Sequence, residues 1–269
     1  MRREARGGRS TERPPALLLV AGVAGALFLL LPLIGLMARA PWGKVGSLVA
    51  TPEIVSALRI SLIASLSAAA LSVTFGLPLA WLLARVPFPG RSLVRALTTL
   101  PLVLPPVVGG VGLLLALGRM GLVGRWLDAA FGVTLFGTTA AVVIAETFVA
   151  MPFTVVTVEA ALRALDHRYE DAASTLGASS WTRFRRVTLP LIAPAVGAGA
   201  VLAWARALGE FGATIAFAGN LAGVTQTIPI AVYLQLQTDV DQAIVLSLVL
   251  VAVSVVTLVA LRHRFMGVS

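Results

Sequence analysis

Few residues in this sequence are of a type that does chemistry, and their placement limits what that chemistry can be. The two histidines, His167 and His263, sit in polar segments, and no H-E-x-x-H spacing sets two imidazoles on one helix face, so a zinc or His-dependent membrane hydrolase is poorly supported. There is no Cys, hence no disulfide framework and no thiolate metal site. No G-x-x-x-x-G-K-[ST] loop is present to cradle nucleotide phosphates. What remains is a charged run, residues 166–186, and three ionisable side chains in apolar surroundings, Glu146, Arg206 and Glu210. Residues of these kinds attract ions, pair with one another or dock a partner.

The elements that must position them are membrane helices. Hydrophobic residues make up 58% of the chain and charged residues 12%, with mean hydropathy +0.94, far from the composition of a water-soluble globule. Stretches near the roughly 20 residues that an apolar helix needs to cross the hydrocarbon fall at 16–37, 60–84, 97–117, 135–158, 188–209 and 243–261. The expected fold is all-α and integral to the membrane, with about six spans over 16–265 behind a basic tail, 1–15. The first stretch is too long for a signal sequence, and Pro41 would follow the Ala38-Arg39-Ala40 cleavage site, so it is read as a retained span.

The formal charge of +9 is explained by orientation. With the N-terminus inside, the inner segments collect most of the arginines, among them Arg85, Arg91, Arg95, Arg163, Arg183, Arg185 and Arg186, whereas the outer segment 210–242 has no Lys or Arg. That asymmetry puts both termini on the cytoplasmic side. It leaves no excess of charge to explain by nucleic acid, and none is expected as a partner.

The charged run, within the inner loop 159–187, is expected to form a short helix capped by Asp166, with Glu170 and Asp171 near its positive end. Leu165, Tyr169, Ala172, Ala173 and Leu176 would form its apolar face, and His167, Glu170, Asp171 and Ser174 its polar one. Gly177 is a natural left-handed stop, and a second short helix is expected from Ser179 or Ser180 to Arg186. By physics alone, an interfacial linker with solvated charges competes evenly with a docking surface.

Asp171-Ala172-Ala173, three residues, Gly177, nine residues, Val187, one residue and Leu189-Pro190 resembles the EAA loop of ABC-importer permeases, Glu-Ala-Ala, x3, Gly, x9, Ile, x, Leu-Pro. Asp171 stands where Glu is usual and Val187 where Ile is. The resemblance implies the type I importer permease fold and a coupling helix, with Glu170, Asp171, Ala172, Ala173, Gly177, Val187, Leu189 and Pro190 serving to dock a separate cytoplasmic ATPase. ATP and Mg would bind that partner, leaving this chain without a cofactor of its own.

Leu100-Pro101-Leu102-Val103-Leu104-Pro105-Pro106 with Gly109-Gly110, and Ala205-Arg206-Ala207-Leu208-Gly209-Glu210-Phe211-Gly212-Ala213-Thr214, resemble the molybdate-type branch of these permeases. Sulfate, thiosulfate and tungstate permeases are close relatives with similar motifs. The resemblance implies a homodimer and an extracytoplasmic oxyanion-binding protein docking on the outer loop 210–242, for which Thr225, Gln226, Thr227 and Tyr233 are candidates. As a linker, that loop would instead rest on lipid headgroups.

The pattern Leu100-Pro101-Leu102-x-x-Pro105-x-Val107-x-x-Gly110 recurs as Leu189-Pro190-Leu191-x-x-Pro194-x-Val196-x-x-Gly199. Pro- and Gly-interrupted spans in corresponding positions point to a substrate route, so the third and fifth spans are expected to line it. Pro105, Pro106, Gly109, Gly110, Arg206, Glu210, Gly212 and Thr214 are the route candidates; the alternative is that the small residues serve helix packing. Arg206 either pairs with Glu210 at i, i+4 or attracts an arriving dianion. Glu146 lies near the midplane, where ionisation is costly, and is expected to be protonated or hydrogen-bonded to a neighbouring helix. An ion-coupled secondary transporter built on Glu146 is the rival from another class.

Overall fold

The computed structural model describes residues 15–265, with side chains throughout except at 258 and 260–265. Most of the basic tail expected at 1–15 therefore lies outside the described residues, as do the side chains of Arg262 and Arg264. Every regular element among the described residues is helical: α1 (Ala16–Arg39), α2 (Val45–Val49), α3 (Pro52–Arg85), α4 (Arg91–Thr99), α5 (Pro106–Leu117), α6 (Gly124–Phe131), α7 (Thr139–Ala164), α8 (Arg168–Thr175), α9 (Ser180–Arg183), α10 (Leu189–Leu208), α11 (Gly212–Ala218), α12 (Ile228–Gln235) and α13 (Val240–Phe265). Among the described residues five helices are long and apolar enough to span a membrane, or up to six if one sharply bent pair counts as a span.

That bend corrects the straight third span expected at 97–117. α4 and its terminal 3-10 turn, Leu100–Leu102, meet α5 at 116°. The cause is the Pro105-Pro106 pair. A proline disfavours helical backbone in the residue before it, and Pro105 is accordingly extended at φ −55°, ψ 128°, so that α5 starts afresh at Pro106. At the second copy of the motif Pro194 is followed by Ala195, and the helix runs through it from Ser180 to Leu208. The second span also begins earlier than expected, at Pro52, a residue suited to a first helical turn.

The core is the packing of α3, α7 and α10, made close by small side chains. Ala68, Ala150, Ala203 and Ala207 form one buried cluster across the three helices. A Cβ added at Gly199 would stand 3.2 Å from Thr154 Cα, and one at Gly76 3.3 Å from Val155 Cγ2. α12 tucks against α3 and α13, with Ile228 and Ile230 fully buried, rather than lying on the headgroups. Its first free amide, Ile228 N, donates 2.8 Å to Ser61 Oγ on α3. α1 buries no residue within this chain.

Arg85, Arg91, Arg95 and Arg163 gather around the C-terminal ends of α3 and α7. Arg91 Nε donates 2.8 Å and Arg95 Nη2 3.1 Å to Leu83 O, meeting a carbonyl that the last turn of α3 leaves free. Glu159, 7% exposed, pairs with Arg95 at 2.7 Å and Arg163 at 2.8 Å.

Candidate functional site

The 166–190 segment folds as a turn of two short helices at the arginine-rich end. Asp166 Oδ1 accepts the Arg168 amide at 2.9 Å, and Glu170 and Asp171 occupy the first turn of α8. Gly177 has φ +79°. Its N–H bonds Ser174 O at 3.0 Å and the Ala178 N–H bonds Ala173 O at 3.1 Å, the paired bonds by which a left-handed residue closes a helix. Ser179 Oγ then accepts the Thr182 amide at 3.2 Å and starts α9.

α9 does not stop at Arg186 as expected, but passes through a π turn, Phe184–Thr188, directly into α10. Pro190 supplies the reason. It lacks an N–H and its ring crowds the carbonyl of Arg186, and the helix widens just before it, with Leu189 N bonding Phe184 O. Val187 and Leu189 are half-buried in this widened turn, and Pro190 is exposed.

Of the expected polar face, His167, Asp171 and Ser174 are exposed and Glu170 is not. Glu170 turns inward: its Oε1 accepts Thr188 Oγ1 at 2.7 Å, and its Oε2 stands 3.5 Å from Arg85 Nη2 and 3.8 Å from His167 Nδ1. Arg183 reaches back to the hydroxyls of Ser174 and Ser180. With Glu170 held inside, the apolar face points away from the protein. Tyr169, Ala172 and Leu176 are exposed, Leu176 at 88%, beside exposed Asp171 and half-buried Ala173. A contiguous exposed apolar face beside a charge marks an interaction site.

The route candidates separate into packing and electrostatic groups. Gly109 and Gly110 are buried in a helix contact: a Cβ on Gly110 would fall 2.6 Å from Ala213 O on α11, and one on Gly109 2.7 Å from Phe148 Cε1 on α7. A Cβ on Gly212 would lie 3.0 Å from Val107 N. These glycines therefore let helices approach and do not line a channel within this chain. Pro105 and Pro106 make the bend. Thr214 is buried, and its hydroxyl has no hydrogen-bond partner among the described residues.

Arg206 Nη2 and Glu210 Oε2 pair at 2.7 Å, and Glu210 Oε1 also accepts the Ala213 amide at 2.8 Å. Glu146, 1% exposed, forms no bond to a neighbouring helix, and its Oε2 is unpartnered among the described residues. The expected outer docking surface is also smaller. Thr225 and Thr227 are buried, and Thr225 Oγ1 accepts the Leu221 amide at 2.8 Å, so of the four candidates Gln226 and Tyr233 reach the surface. Tyr233 packs on Phe211 with ring centroids 5.1 Å apart.

The family described as "Binding-protein-dependent transport system inner membrane component" matches residues 73–266. The chain belongs to this family. It is a multi-pass component of membrane transport, and the matched region contains the α8–α10 turn, α5 and the Arg206–Glu210 pair. Among its relatives, the "Molybdenum transport system permease protein ModB" of Mycobacterium tuberculosis is 46% identical over 252 residues, covering 93% of this chain and 94% of that protein. The "Sulfate transport system permease protein CysT" of Escherichia coli is 38% identical over 246 residues, covering 89% and 88%.

The fold is that of ABC-importer permeases. A bacterial ABC transporter for the acidic polysaccharide alginate superposes with a TM-score of 0.74 at 22% identity, over 94% of this chain and 95% of that one. The MetNI methionine ABC transporter, in an inward-facing conformation, gives 0.64 at 18%, over 81% and 96%.

Sequence reasoning had placed Arg85 only among the inner basic residues, and passed over Glu159 and Thr188. Glu159 had a readable signal in Arg163 at i+4. Arg85 and Thr188 had none, because each meets α8 only through the tertiary fold.

Proposed function

We propose that this chain is the translocating subunit of an ATP-driven importer of a tetrahedral oxyanion, molybdate before its relatives, delivered by an extracytoplasmic binding protein. The likeness to ModB over nearly the whole chain supports molybdate; the likeness to CysT keeps sulfate as the second reading. The chain works as a homodimer in the inner membrane, each copy giving half of the path, with both termini and α8 in the cytoplasm. ATP and Mg belong to a separate ATPase subunit.

One observation carries the coupling role: α8 presents an unpartnered apolar face while its inner side is bonded to the transmembrane helices. Glu170 ties α8 to Thr188 at the foot of α10 and to Arg85 at the end of α3. α9 continues into α10 without a break, and α10 packs on α7 where Thr154 Oγ1 donates 3.3 Å to Gly199 O. A displacement of α8 therefore moves the core helices as one lever. Closure of two ATPase subunits on ATP draws the paired α8 helices together and opens the route outward; hydrolysis reverses it. The free energy of switching is the difference between the contacts α8 makes in the two ATPase states.

The chain has no Cys, so one introduced thiol reports contact cleanly. In the complex assembled with its ATPase, Asp171→Cys is expected to cross-link to an ATPase groove cysteine, with a yield that changes on adding ATP. An assembled complex giving no cross-link at Asp171→Cys or Leu176→Cys would remove the docking assignment.

A further inference from the structure

We infer that the arginine-rich end of α3 holds an anionic phospholipid, its phosphate on Arg85 and Arg183 and one acyl chain in the adjoining apolar groove. Two cavities meet there. The first, about 480 Å³, runs between α3 and α9, walled by Val73, Leu77, Pro78 and Trp81 on one side and Trp181 and Phe184 on the other. The second, about 340 Å³, carries the charged groups and is lined by Arg85, Arg183, Ser180 and Thr188 together with His167 and Glu170. Trp81, Ser180 and Phe184 line both, so the greasy groove opens directly into the cationic cavity.

The charged cavity has unmet capacity. The Arg85 side chain is 10% exposed; its Nη1 bonds His167, its Nη2 makes no hydrogen bond among the described residues and lies 3.5 Å from Glu170 Oε2, and its Nε is buried without any partner among them. Buried donors left unsatisfied are costly, and a guanidinium fork matches the geometry of a phosphate. Among the described residues Arg183 bonds only the neutral hydroxyls of Ser174 and Ser180. Two guanidinium groups thus face one carboxylate, Glu170, and the lining is net positive.

The position suits a lipid better than a free anion. Trp181 and Phe184 stack with centroids 5.8 Å apart, and Trp181 is exposed, as aromatic residues are at the level of headgroups. Basic pockets between membrane helices take anionic headgroups, and a free phosphate would leave the groove unfilled. A lipid seated here wedges between α3 and the α8–α9 turn, so lipid composition tunes the lever whatever the transported substrate.

The test uses the whole transporter complex in discs of phosphatidylcholine with or without phosphatidylglycerol, with retained lipid counted by native mass spectrometry after mild delipidation. Phosphatidylglycerol is expected to be retained over phosphatidylcholine and to resist excess inorganic phosphate. Arg85→Gln should weaken its retention roughly fivefold, as expected for one basic residue at the membrane surface. Leu77→Trp, which fills the groove and leaves both arginines, should weaken it as well. Should Arg85→Gln fail to assemble, Arg183→Gln reads the same headgroup contact. Equal retention of the two lipids would overturn the inference. So would displacement by inorganic phosphate with Leu77→Trp without effect, which makes the cavity a free-anion site. Leu77→Trp splitting the homodimer without changing retained lipid would overturn it too, assigning the groove to a second copy.

Discussion

Thr188 Oγ1 donates a 2.7 Å hydrogen bond to Glu170 Oε1, joining the outward-facing helix α8 to the foot of the spanning helix α10 across 18 residues of sequence. A hydrogen bond to a charged group contributes about 1.5–3 kcal/mol. Thr188→Val removes the donor and keeps the shape, so uptake per ATP hydrolysed should fall about tenfold while hydrolysis by the complex persists. Glu170→Gln still accepts from Thr188 and loses only the attraction to Arg85, so it should be milder. Parallel assays of uptake and ATPase activity separate the two.

Gly177 needs its left-handed backbone and not its lack of bulk: a Cβ there would meet nothing within 4 Å, yet φ is +79°. A β-branched residue in that region costs on the order of 1–3 kcal/mol, and Asn costs less. Gly177→Val should therefore abolish uptake and ATPase co-purification, and Gly177→Asn should restore most of both. If Val and Asn behave alike, the turn is not what docking requires.

Two glycines that look equivalent in sequence should respond differently to alanine. Both meet backbone, but a Cβ on Gly110 falls 2.6 Å from Ala213 O, too close without a shift of the chain, whereas one on Gly199 falls 3.2 Å from Thr154 Cα, an overlap of a few tenths of an ångström. Overpacking of this kind costs about 1–3 kcal/mol. Gly110→Ala should lower the unfolding temperature in detergent clearly, and Gly199→Ala should do so less.

Glu146 and Glu210, each 1% exposed, should also part. Glu210 pairs with Arg206 and caps Ala213, so Glu210→Ala leaves a largely buried guanidinium and an amide unmet, costing about 3 kcal/mol or more. Glu146 has no ion-pair or hydrogen-bond partner among the described residues, so Glu146→Gln keeps volume and loses little. Uptake by Glu146→Gln is expected within about twofold of the parent, on the scale of ordinary tolerated substitutions; its loss at normal membrane abundance would favour the ion-coupled reading.

Local features were legible where one residue type has one physical use. Gly177 could be read as a left-handed stop and Arg206–Glu210 as an i, i+4 pair because each argument stays within one turn of helix. The repeated Leu-Pro motif misled because its outcome depends on one neighbour: Pro106 after Pro105 breaks the helix, and Ala195 after Pro194 does not. The inward turn of Glu170 was not legible, because Thr188 and Arg85, which hold it, lie far from it along the chain. Nor were the burial of Thr225 and Thr227 or the Ser61 cap on α12, which are set by segments distant in the chain.

The most direct measurement is ATP-dependent uptake of labelled molybdate into cells lacking their own high-affinity system, expressing this chain with its ATPase and binding protein, and competed by tungstate and by sulfate. The account predicts uptake that tungstate blocks, excess sulfate spares and Gly177→Val abolishes. Uptake blocked by sulfate would move the substrate to the sulfate branch, and no ATP-dependent oxyanion uptake with an assembled complex would contradict the account at its centre.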